Sequence, residues 1–446
     1  MEGWRIMERI EQSSEQKSEL GEIIDRIDKT NVTVYEKLNA SNDKVAKAEF
    51  LDNPDLVHPN NEYGNLNEEE VHKNLEELDS IEQSLASSWM NDKQKRLIAM
   101  VLNDSRKKNE FLAANLAYNT ANTPEEKAKM AEWHKEANAN LYGEPNESTF
   151  YALLNEKLAS IKPEQLSEEE RSIYDRLIER ASLPEGVENK RFKPQPETIE
   201  RFSELVKDFF ENFLKHIPEE QEKFSSKEAA KIVNEIVATE FGSDEIDYHA
   251  VIDEKVSNAS ASRGVIKFPS DAMYDRGRLS ALIVHELGTH AMRAIPYQLQ
   301  EIKPFATSMP DNETFDEGIA GCVEQALKGE YRDFGVDHYI NIGLATFKGM
   351  NFREIYEFQM DLKRLTGENT GKVLNAVQRC FRGTGELPNN KDLAYYNGVE
   401  RVWRYIEEHI DDLELFDTLF LSGKTDIQNP EQEALVYEMR TKGNLG

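Results

Sequence analysis

His285-Glu286-Leu287-Gly288-Thr289-His290 sets two histidines five residues apart, with a carboxylate directly after the first. On an ideal α-helix five residues turn through about 500°, which leaves the two rings about 140° apart and unable to share a ligand. One extra residue in the turn removes the conflict. A π-type turn, bonded i to i+5, returns residue 290 close to the azimuth of residue 285. Gly288 inside that turn accepts the distortion without a Cβ clash. The spacing therefore predicts a helix with a π-type turn whose two imidazoles face one metal ion. The competing reading is two ordinary core or surface histidines among the nine in the chain.

The flanks favour the metal. A helix is expected from about Tyr274 to Ile295, entered through the apolar stretch Ser280 to Val284 and stopped by Pro296. Before it, Ile246 to Ile252 and Arg263 to Phe268 are short, partly alternating and β-branched, with Ser- and Ala-rich sequence between them. They read as two strands able to pair, the second ended by Pro269. Strand, turn, then a helix bearing His-Glu is the layout of zinc peptidases, whose edge strand lines the cleft. A catalytic Zn2+ site needs three protein ligands and one open position. Glu313, Glu317 and Glu324 fall on one helical face at spacings of four and seven, among the small residues Gly318, Ala320 and Gly321. Glu317 is the expected third ligand beside His285 and His290. Glu324, two turns on, is expected to orient a histidine by accepting its other N–H. Glu286 faces the ligand water as the general base.

Composition narrows the partners. Against 54 Lys+Arg stand 84 Asp+Glu, a formal charge of −30. Such a surface repels phosphate backbones and anionic lipid, so neither nucleic acid nor membrane is expected as a partner. Cys322 and Cys380 exclude a disulfide scaffold, and no Cys-x-x-Cys pair exists. The first residues lack a signal-peptide core, which makes the cytoplasm the expected compartment. Leu75, Leu78, Ile81 and Leu85 mark a buried helical face, and Glu156 to Ala181 keeps the same period with a capped start at Ser167 to Glu170. After the Pro- and Gly-broken stretch from Ser182 to Pro196, Glu197 to His216 is amphipathic, and further helices start at Thr314, Asn351 and Asn397. The expected fold is α+β and mostly helical. A zincin-like metallopeptidase core, with a small sheet beside the motif helix, occupies residues 191–446. An N-terminal helical region occupies residues 1–190.

These residues carry a family resemblance. The motif helix, followed by Asp316-Glu317-Gly318-Ile319-Ala320, resembles the microtubule-associated tyrosine carboxypeptidase family, whose bacterial members are labelled flavohemoglobin expression-modulating QEGLA motif proteins. Asp316 stands for the family's Gln and Ile319 for its Leu. Tyr142-Gly143-Glu144-Pro145-Asn146, Arg379-Cys380-Phe381-Arg382-Gly383 and Lys391-Asp392-Leu393-Ala394-Tyr395 are similar to further family elements. The resemblance implies a zinc metallopeptidase that removes a C-terminal residue, with His285, His290 and Glu317 as ligands. Its eukaryotic members act on acidic tubulin tails, a doubtful substrate for a chain at −30.

Two further roles complete the expectation. Tyr395, or its neighbour Tyr396, is the candidate donor to the oxyanion, from the resemblance and from hydroxyl chemistry. Arg379 and Arg382, with Lys391 behind them, are the candidates to hold a terminal carboxylate, since a guanidinium fork matches it bidentately. The substrate is then a peptide or protein C-terminus. Two alternatives stay open: an endopeptidase with the same core, and a non-catalytic helical regulatory protein that keeps a structural metal.

Overall fold

The computed structural model describes residues 19–187, 191–241, 248–254, 256, 259–262, 264–298, 305 and 309–442. The chain is mostly helical, with two small sheets among the described residues. No helix among the described residues is long and apolar enough to cross a membrane.

Leu78 and Ile81 are buried on the Glu68–Leu85 helix, and Leu75 and Leu85 pack against the same cluster, as their period predicts. That cluster takes in Leu97 and Ile98 of the Asp92–Thr120 helix and, from the far end of the chain, Leu435 and Val436. A second cluster joins Phe150, Leu153 and Leu158 to Tyr339, Phe358 and Val377. Each such side chain contributes roughly 1.5–3 kcal/mol on full burial. The stretch from Glu156 to Ala181 is two helices rather than one period. Glu147–Ala159 and Glu168–Ala181 are separated by a 3-10 turn at Pro163–Gln165, where proline cannot continue the helical bonding. The expected cap is present: Glu170 N donates to Ser167 Oγ at 3.3 Å, and Ser167 N donates to Glu170 Oε2 at 2.9 Å.

Strand β1 (Lys223–Ser225) pairs antiparallel with β5 (Met273–Asp275). The other sheet has the order β2 (His249–Ile252), β4 (Val265–Phe268), β3 (Ser260–Ser262). Ile246, Asp247 and Arg263 of the two expected strands lie outside the described residues. The expected strands do pair, but in parallel, with His249 opposite Val265 and Ile252 opposite Phe268. β4, the strand expected at the edge, is central in its sheet, and the short β5 lies between it and the motif helix. β3 folds back on β4 as a hairpin and takes the outer place, with Ser262 opposite Val265 and Gly264 at φ +84 in the turn.

Asp275 ends β5 and caps the next helix, its side chain accepting from Arg278 N at 2.8 Å. The motif helix runs as α over Arg276–Ile283, as π over Val284–Ala291, and as α again over Met292–Gln298. It passes through Pro296 and is described as far as Gln298, instead of stopping at Ile295. Gly288 has a different reason from the one expected. Its backbone lies outside the left-handed region, but a Cβ there would come 2.6 Å from Phe210 Cε1. Glycine lets that ring of the helix pair Pro196–Phe209 and Glu211–Lys215 close over the π segment.

The Asn312–Lys328 helix crosses the Leu393–His409 helix at Gly318 and Gly398. A Cβ on Gly398 would strike the Thr314 carbonyl, and one on Gly318 would strike the Gly398 backbone. The two backbones are therefore in contact. Trp403, fully buried, donates from Nε1 to Gln325 Oε1 at 2.9 Å across the same crossing. The expected Asn351 start is the cap of the Phe352–Thr366 helix, whereas the last-named helix begins at Leu393 rather than Asn397.

Candidate metal centre

The π segment does what the five-residue spacing requires. His285 and His290 lie on one side of the helix, ring centroids 5.0 Å apart at 73°. Thr289 Oγ1 donates to Val284 O, five residues back, at 3.2 Å, which helps hold the widened turn. Glu317 faces them from the crossing helix, with Oε2 4.0 Å from His285 Nε2. One donor atom from each of His285, His290 and Glu317 lies within 4.8 Å of the others, and all three residues are half-buried. Two imidazoles and a carboxylate are the donor set of a catalytic zinc site with one position left open. The residues present fit zinc.

Each histidine has its far nitrogen anchored. His285 Nδ1 donates to Glu324 Oε1 at 2.6 Å. His290 Nδ1 donates to Asp316 Oδ2 at 2.5 Å. Both Nε2 atoms are thereby left to the centre, as in the carboxylate–histidine–zinc arrangement. Burial opposes a charged His285, but the Glu324 hydrogen bond and the charges of Glu286, Glu317 and Glu324 outweigh it and hold the imidazole at about 9. Glu286, 9% exposed, sits beside this group.

Tyr395 projects from the Leu393–His409 helix toward Glu317, whose carboxylate, followed by burial, raises the phenol above its ordinary range. Its hydroxyl accepts from Arg379 Nη2 at 3.1 Å. Tyr396 points elsewhere, its ring edge-on to Tyr339 at 5.2 Å. The three expected carboxylate binders are not equivalent. Arg379 gives Nε and Nη2 to Asp392, both at 2.7 Å, while His338 Nδ1 lies 3.3 Å from the same carboxylate. Lys391 pairs with Glu313 and lies over the rings of Tyr35 and Tyr395 at 5.7 and 5.9 Å. Among the described residues Arg382 forms no ion pair, and burial together with the nearby Arg379 lowers its affinity for its own proton.

A model of the microtubule-associated tyrosine carboxypeptidase family matches residues 175–445. The chain belongs to this family. No curated protein and no solved structure gives a significant match. The microtubule-associated tyrosine carboxypeptidases are a peptidase family, and the matched span holds all the residues of this site named so far except Tyr35.

Sequence reasoning passed over four residues here. Asp316 served only as the replacement for a family Gln, yet it anchors His290, and Arg293 Nε meets its other oxygen at 2.8 Å. Lys424 also donates to Asp316 Oδ2. Burial opposes the Asp316 charge, but Lys424, His290 and Arg293 hold its carboxyl well below the usual range. Arg293, 0% exposed, further donates to the carbonyls of Leu419 and Thr425. Tyr248, buried next to β2, is raised by burial and by the charges of Asp316 and Glu286. The available signal was Arg293 itself, a cation set among Ala291, Met292, Ala294 and Ile295 on the motif helix.

One consequence is measurable. A metal needs the neutral imidazole, so a zinc ion bound at His285 at pH 7.5 would displace its proton. Calorimetric titrations of the metal-free protein in two buffers of different ionisation enthalpy are expected to show about one proton released, fading as pH passes about 9. The sign for the metal-free fold runs with it. Because the folded pKa is raised, this group's contribution is complete below its ordinary 6.5 and lost as pH rises through about 9. Zinc uptake without proton release would mean that His285 is already neutral.

Proposed function

We propose that the chain is a zinc-dependent carboxypeptidase with a zincin-like core, acting on the C-terminus of a peptide or protein. The observation that carries this reading is the convergence of His285, His290 and Glu317 with Glu286 alongside. Zinc held by those three residues would supply Lewis acidity to a water and to the scissile carbonyl. Glu286 takes the proton of the attacking water and delivers it to the leaving amine, which restores the carboxylate. Tyr395 donates a hydrogen bond to the carbonyl oxygen as it gains charge, and Arg379 holds the phenol from behind. Arg382, the cation not already paired with an acid, takes the substrate's terminal carboxylate. Arg379 and Lys391 frame it, their charges committed to Asp392 and Glu313. An acidic tubulin tail remains a poor substrate for a chain at −30.

Paired peptides test this reading. A peptide with a free C-terminus should lose single residues from that end, followed by mass, while its C-terminal amide should stay intact. Arg382→Ala should raise KM for the free acid about tenfold, the scale of a lost charge-assisted hydrogen bond. Internal cuts that ignore amidation would replace the exopeptidase reading with the endopeptidase one.

A further inference from the structure

The loop that carries Arg382 belongs in sequence to the C-terminal half, but several of its polar groups are met by the N-terminal helices. It leaves the Val373–Cys380 helix and re-enters regular structure at the Asn390–Asp392 turn. Within itself it closes in part. Gly385 N donates to Phe381 O at 2.8 Å and Asn389 N to Cys380 O at 2.7 Å. Thr384 Oγ1 accepts from Glu386 N at 3.3 Å and Leu387 N at 2.8 Å, and Asn389 Nδ2 donates to Arg382 O at 3.3 Å. The remaining buried backbone groups need partners from outside. Asn138 supplies two at once, donating from Nδ2 to Pro388 O at 3.0 Å and accepting from Asn390 N at 3.0 Å. It is 4% exposed, so water is no substitute. Asn119 Nδ2 donates to Gly383 O at 2.8 Å, next to Arg382. Asn390 Nδ2 donates to Gly143 O at 2.7 Å. Tyr118 OH and Lys127 Nζ hold Glu386 at 2.7 and 2.8 Å.

Gly383 seats the loop against the same helices. Its φ of +101 favours glycine, and a Cβ there would strike Asn115 Oδ1. Side chains from that half also reach the cations. Tyr35 lies under Lys391, and Tyr142 senses Glu313, Lys391 and Arg382 together.

We propose that Asn119 and Asn138 are positioning residues of the substrate site, fixing the Gly383–Asn390 loop so that Arg382 meets a terminal carboxylate beside the metal. Substrate affinity is then set by a part of the chain outside the family match, which starts at residue 175. The inference rests on Arg382 being the carboxylate binder. The ligand class is a free peptide carboxylate, and the N-terminal helices form one wall of its pocket.

The test uses the full-length zinc-loaded protein with Asn138→Ala, Asn119→Ala and Arg382→Ala. For each, KM and kcat are measured on a free-acid peptide, Ki is measured for its C-terminal amide, and zinc content is checked. Asn138→Ala should raise KM about tenfold with kcat within about twofold, and Asn119→Ala should do the same more weakly. Amide Ki and zinc content should not move, which a general loosening of the fold would not reproduce. Asn119 is exposed, so its variant keeps the test alive where Asn138→Ala fails to fold. An unchanged KM in the folded variants, or a loss in kcat alone, would overturn the proposal. If Arg382→Ala itself leaves KM unchanged, the carboxylate assignment fails instead.

Discussion

Glu286→Gln is expected to keep its zinc and its melting temperature while hydrolysis falls at least about a hundredfold. The substitution preserves size and hydrogen-bonding reach and removes only basicity. Glu286 is buried on the π segment between the two histidines, but it is not in the cluster whose donor atoms converge. Its loss therefore leaves the three proposed ligands in place. The effect should fall on kcat, since no substrate contact is removed. Elemental analysis and a peptide assay on the same preparation decide it. Full activity in a zinc-loaded Glu286→Gln protein would remove the mechanism proposed here.

His285→Ala is expected to lose the metal itself, and with it all activity above background. His290 and Glu317 would remain, and two ligands seldom hold zinc against solution. The deletion also leaves Glu324 without the imidazole it accepts from at 2.6 Å. In the unaltered protein, zinc at about a hundred times its Kd should stabilise the fold by about 2.7 kcal/mol. That increment, read from melting curves with zinc and with chelator, should vanish in His285→Ala. Removing an anchor instead of a ligand should give an intermediate result. Glu324→Gln or Asp316→Asn is expected to weaken zinc about 10–100-fold. Stoichiometric zinc in purified His285→Ala would show that the centre is built on other residues.

Much of the centre was legible because its geometry is local. The five-residue His spacing demanded a π turn, and the helix has one over Val284–Ala291. Glu317 and Glu324 lie seven apart on one face, so the distance from a ligand to an anchor could be read from helix geometry alone. What stayed hidden is what depends on distant chain. Lys424 reaches His290 and Asp316 from more than a hundred residues away, and no periodicity encodes that approach. β3 was invisible because Ser260, Ala261 and Ser262 have little strand propensity, and a paired neighbour, β4, carries them. Arg379 looked as available as Arg382. Only the fold shows that Asp392 already occupies its fork. Gly288 was singled out for the widened turn, whereas the ring of Phe210, which a Cβ there would strike, cannot be placed from the motif's own sequence.

The contact of Gly318 with Gly398 sets a mechanical tolerance for the whole centre. Glu317 is the residue before one glycine, and Tyr395 lies one turn before the other. With bare backbone against backbone there is no compressible side chain between them, so the carboxylate and the phenol share a common datum with almost no play. Thermal motion elsewhere in the molecule should move both together and leave their separation unchanged. Even a single methyl at either glycine acts as a shim, prying the two helices apart and shifting the Glu317 carboxylate relative to the Tyr395 phenol.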